Sequence, residues 1–83
     1  MIVEGDVIIG RYTNGECYLV TVKRFMPERG CIVVEYCNAQ KSTGLFFLNE
    51  VIELTDALVD KIPAEMRHIA REFLARKTAD KRL

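Results

Sequence analysis

The sequence predicts a mainly β fold, a small antiparallel barrel or sandwich, followed by one amphipathic α-helix. Three observations carry this reading. Short β-branched and aromatic runs near residues 7–9, 17–25, 31–36 and 45–48 are separated by turn residues, with no helical pattern between them. Asn14-Gly15 stands between the first two runs and is the strongest short-range hairpin signal in the chain. Past Leu54 the apolar period changes from two to 3.6.

The first strand lies between Gly5 and Tyr12, where Gly10 interrupts Val7, Ile8 and Ile9 and marks a bend or a close backbone approach. A type I′ turn at Asn14-Gly15 leads into the second strand, Cys17 to about Phe25, which alternates Tyr18, Val20 and Val22 against Leu19, Thr21 and Lys23. Pro27 and Gly30 make a loop of residues 26–30. In the third strand, Cys31 to Tyr36, the residues Ile32, Val34 and Tyr36 share one face and Glu35 marks the wetter one. A polar loop over 37–44 precedes the apolar strand Leu45–Leu48, and a 3₁₀ turn passes into a last short strand before Leu54. Val7, Ile9, Val20, Val22, Ile32, Val34, Phe46 and Leu48 are expected to fill the interior, which places binding on the rim or an outer face.

Residues 1–54 thus form the β body and residues 55–83 a helical extension. Thr55 or Asp56 caps a short turn, and Pro63 suits the first position of the longer helix. Met66, Ile69, Ala70, Phe73 and Leu74 fall at i, i+3, i+4, i+7 and i+8, one continuous apolar stripe. That stripe either packs on the β body, enlarging a marginal core, or makes a homodimer seam or partner contact.

With 83 residues, there is room for one core with one appended element. No apolar run reaches the roughly 18 residues of a membrane span, and no basic region leads into an apolar one at the N-terminus, so a cytoplasmic location away from membranes is expected. The cysteines Cys17, Cys31 and Cys37 are odd in number and lack a Cys-x-x-Cys pair, which speaks against a disulfide framework and a zinc site. Net charge is zero but polarised: residues 1–62 carry six basic against nine acidic side chains, and residues 63–83 carry six against three. The basic helix face of Arg67, Arg71 and Lys77 is the candidate contact for nucleic acid or an acidic partner.

Catalysis needs a nucleophile with a base, paired carboxylates or a metal cluster, and none is spaced convincingly here. His68, the single histidine, lies one position off the apolar stripe, and Cys37 has no basic neighbour in sequence. No enzyme, cofactor or metal is expected. The aromatic set Tyr12, Tyr18 and Tyr36 remains, each beside a turn, where rings grouped at a rim can face a cation, stack on a base or plug the open end.

In order and spacing, Gly5-Asp6, Tyr12, Asn14-Gly15, Tyr18, Val33-Val34-Glu35-Tyr36, Asn38 and Leu45 to Leu54 resemble a Tudor-like domain of the SH3-like barrel group. The resemblance implies a five-stranded antiparallel barrel. It also implies an aromatic cage for methylated lysine or arginine, with Tyr12, Tyr18 and Tyr36 as walls and Asn38 as polar partner. The family's aromatic-Gly-Asn segment is shortened here to Cys37-Asn38, leaving three walls. The expected function is therefore a non-enzymatic interaction module that binds a protein or nucleic acid through its rim and loops. The alternatives are a methyl-mark reader with an incomplete cage and a small inhibitor or regulator from a mobile element.

Overall fold

The computed structural model describes residues 2–81, with side chains through residue 77. Strands β1 (Val7–Arg11), β2 (Cys17–Met26), β3 (Cys31–Tyr36), β4 (Thr43–Phe47) and β5 (Val51–Ile52) form one antiparallel sheet in the order β4-β3-β2-β1-β5. Helix α1 follows at Ala64–Lys81. Among the described residues, no helix is long and apolar enough to cross a membrane.

The sheet is curled but not closed, which corrects the expectation of a barrel without edges. Only a 3₁₀ turn at Leu48–Glu50 links β4 to the two-residue β5. The Phe47 N–H, instead of meeting β5, donates to Glu50 Oε1 at 2.9 Å. The curl itself is steep. Although β4 and β1 are separated by two strands, the Phe46 ring reaches Gly10 so closely that a Cβ there would stand 2.6 Å from it. Gly10 thus provides a close approach of side chain to backbone.

Two cores lie on opposite faces of the sheet. Ile8, Val20, Val22, Ile32, Val34 and Phe46 pack together on the concave face. Ile9, Cys17 and Leu19 meet Leu54, Val59, Ile62, Met66 and Ala70 on the other. The pairing of Ile8 with Val20 and of Ile9 with Leu19 fixes this division. Val7 and Ile9 were expected in the interior and instead belong to the helix-covered face. Because Val7-Ile8-Ile9 is apolar at every position, the pattern itself carried no phase.

The helix is anchored at its start. Met66 N donates to the Pro63 carbonyl at 2.9 Å, and Arg67 Nε and Nη2 donate to the carbonyls of Ile62 and Asp60, both at 3.2 Å. Met66 Sδ accepts the Leu19 N–H at 3.3 Å, tying the stripe to β2. Ile69, Phe73 and Leu74 are partly buried against the same cluster. The stripe is therefore occupied by the chain's own sheet.

Two backbone details place the aromatic residues. The first hairpin is not the expected type I′ turn. Gly15 N donates to Tyr12 O and Tyr12 N to Glu16 O, both at 2.9 Å, and Gly15 has φ +90° while Asn14 is not at positive φ. This is the three-residue loop with a glycine bulge, and it sets Tyr12 opposite Glu16. In β2 the ladder shifts between Val22 and Arg24, so that Lys23 is an extra residue and Phe25 regains the concave phase opposite Ile32.

Candidate functional site: the tyrosine ridge

Tyr12, Tyr18 and Tyr36 converge at one end of the concave face. Tyr18 and Tyr36 hold the phase of Val20 and Val34, and Tyr12 continues that of Ile8 and Gly10. Tyr12 and Tyr18 meet edge to face with centroids 5.3 Å apart, and Tyr18 and Tyr36 do so at 5.9 Å. The hydroxyls of Tyr12 and Tyr36 are hydrogen-bonded to each other. Phe46 completes the group from below, 5.3 Å from Tyr12 and 6.2 Å from Tyr36. Its part in the group is not evident from the sequence, where Phe46 reads as core alone.

A second glycine makes room here. Gly44 lies under Tyr36, and a Cβ on it would stand 2.9 Å from that ring. Burial, reinforced by the hydrogen bond to Tyr12, raises the Tyr36 pKa well above the ordinary tyrosine value. Tyr18 donates to Glu16 Oε2 at 2.9 Å, and this hydrogen bond also raises its pKa.

Tyr18 is in edge contact with both Tyr12 and Tyr36. A methylammonium group would have to part the Tyr12–Tyr36 hydrogen bond before it could sit among these rings. The Asn38 Nδ2 donates to Ser42 Oγ at 3.3 Å, and its backbone carbonyl accepts from Lys41 N at 3.1 Å. Its Oδ1 is buried without a hydrogen-bond partner among the described residues.

The ridge separates two grooves. Tyr12, 39% exposed, borders an open groove of about 450 Å³ with Arg11, Thr13, Phe47 and Glu50. Tyr18 borders another of about 280 Å³ with Glu16, Asp60, Pro63 and Arg67. Phe47 is more than half exposed, a feature that the apolar run Leu45–Leu48 conceals because strand residues at both parities cannot all face one core.

Two of the three basic residues of the helix face have partners within the chain. Arg67 spends its guanidinium on the carbonyls of Asp60 and Ile62. Lys77 pairs with Glu53 at 3.6 Å and sits 5.8 Å from the Phe73 ring centroid. Arg71 is exposed on the helix but stands apart from the ridge residues in sequence and element. His68 is exposed, Cys17 and Cys31 are buried, and burial raises the Cys37 thiol pKa. Among the described residues, no three His, Cys, Asp or Glu side chains gather as a metal-holding group.

No protein-family model, curated protein or solved structure matches the chain.

Proposed function

We propose that this chain is a non-enzymatic, Tudor-like module of the SH3-like group, opened between β4 and β5, which binds an extended segment of a partner protein across the tyrosine ridge. The strand order and the 3₁₀ turn before β5 support the fold reading. One observation carries the function: a ridge of half-exposed aromatic rings flanked on both sides by open grooves, with Tyr12 on one and Tyr18 on the other. Such rings give a partner large, rigid contact area at small entropic cost. The groove beside Tyr12 offers mixed charge, Arg11 with Glu50, which suits the alternating side chains of a peptide more than a phosphate backbone. The internal use of Arg67 and Lys77 points the same way.

The test is affinity capture from the native cell, with nuclease treatment, using the wild-type chain and the Tyr12→Ala/Tyr18→Ala variant. A partner that survives nuclease and is lost with the variant supports the reading. A partner released by nuclease, or retained equally by the variant, overturns it.

A further inference from the structure

We propose that β4 is a self-pairing edge, at which a second copy of this chain adds antiparallel about a two-fold axis through Leu45. This edge shares Phe47 and Glu50 with the groove beside Tyr12 but includes none of the three tyrosines and none of the helix stripe, which the chain's own sheet already occupies.

The backbone of β4 is arranged for it. Tyr36 N donates to Ser42 O and Leu48 N to Gly30 O, so the even positions of this strand bond β3. By the alternation of antiparallel ladders, Thr43, Leu45 and Phe47 therefore turn their N–H and C=O groups outward. The Phe47 N–H is taken by Glu50, and the outward groups of Thr43 and Leu45 face no strand, because β4 is an edge of the sheet. A second β4 centred on Leu45 matches that inventory. The two Leu45 residues exchange N–H and C=O, and each Thr43 N–H meets the free Phe47 carbonyl of the other copy.

Side chains and charge agree with this occupant. The sequence Thr43-Gly44-Leu45-Phe46-Phe47 contains no charge and no proline, the usual protections of an exposed edge. Leu45 and Phe47 are 52% and 55% exposed and lie outside the helix-covered cluster on their face of the sheet. Antiparallel pairing extends these rows into one apolar cluster shared by both copies. Lys41 precedes the strand and Glu50 follows it, so the pairing brings the basic end of each copy against the acidic end of the other. The opposite edge, β5, has two residues, too few to support a head-to-tail ring through β4 and β5.

The experiment is sedimentation of the full chain from about 1 μM to about 1 mM, with amide hydrogen exchange across the same range. The expected result is a dimer, with the Thr43 and Leu45 amides slowing as concentration rises. Leu45→Lys places two like charges opposite each other, and Thr43→Pro removes an outward donor that β3 does not use. Each variant is expected to keep the wild-type circular dichroism and to weaken dimerisation at least about tenfold. A wild-type monomer throughout the range overturns the proposal, as does a dimer whose Thr43 and Leu45 amides exchange freely. Protection of those amides only in cell extract, with the chain itself monomeric, replaces the second copy by another strand and likewise overturns it.

Discussion

The ring of Phe46 occupies the space that a Cβ on Gly10 would need, its nearest atom 2.6 Å from that position. Phe46 is almost fully buried, so the ring cannot swing into solvent to relieve the clash. Gly10→Ala is therefore expected to destabilise the fold by about 1–3 kcal/mol in denaturant titration. Phe46→Leu shortens the side chain at the point of contact. The double variant should lose less stability than the two single losses added together, and strict additivity would show that the contact is not what fixes the curl.

Tyr12 and Tyr36 share one hydrogen bond, so either phenylalanine variant removes it. Tyr12→Phe and Tyr36→Phe should each cost about 1 kcal/mol, and the double variant little more than one of them, as read by chemical denaturation.

The same tyrosine gives the fold an alkaline limit. The folded state holds the Tyr36 proton more tightly than the usual value of 10.0, through burial first and the Tyr12 hydrogen bond second. Its contribution is fully present below pH 10.0 and is lost as pH rises from there toward the folded pKa, because the unfolded chain gives up the proton first. Unfolding free energies at pH 9 to 12 should fall steeply for the wild type and less for Tyr36→Phe. Equal slopes would remove Tyr36 as the cause.

Met66 joins the helix to the sheet by packing and by accepting the Leu19 N–H. Met66→Ala should cost about 2–5 kcal/mol, whereas Met66→Leu, which keeps the volume but not the sulfur acceptor, should cost under about 1.5 kcal/mol. Thermal melts of the two variants check this ordering.

Cys37 should react slowly with a disulfide reagent in the folded protein at pH 8 and at the rate of a free thiol in urea. Burial raises its pKa, while the contact to Thr21 Oγ1 at 3.5 Å lowers it. Thr21→Val should therefore slow the folded-state reaction further.

The elements of this fold were legible where one residue type forces one conformation. Pro63 announced the start of α1, and the run Cys31–Tyr36 stood out as β3 with its observed bounds. Sheet phase was legible only where polar residues broke the alternation. Tyr18, Val20 and Val22 separate cleanly from Thr21 and Lys23, whereas Val7-Ile8-Ile9 is apolar on both faces because a helix covers one of them. The meeting of the tyrosines followed from their places beside turns. Their mutual hydrogen bond, and the commitment of Asn38 to Ser42, depend on ring and loop geometry that spacing does not encode. The exposure of Leu45 and Phe47 depends on where α1 ends its cover, a tertiary fact with no local signal.

The extra residue at Lys23 changes what an edit to this gene segment would do. Shortening a strand by one residue ordinarily turns every later side chain to the wrong side of the sheet. Here Val22 already pairs with Val34 and Arg24 with Val33, so a chain lacking Lys23 would keep every partner on both sides of the gap. Its loss would remove the ion pair of Lys23 with Glu35 at 3.7 Å and the local bend of β2. The bulge thus lets β2 bend without changing which residues pair on either side of it.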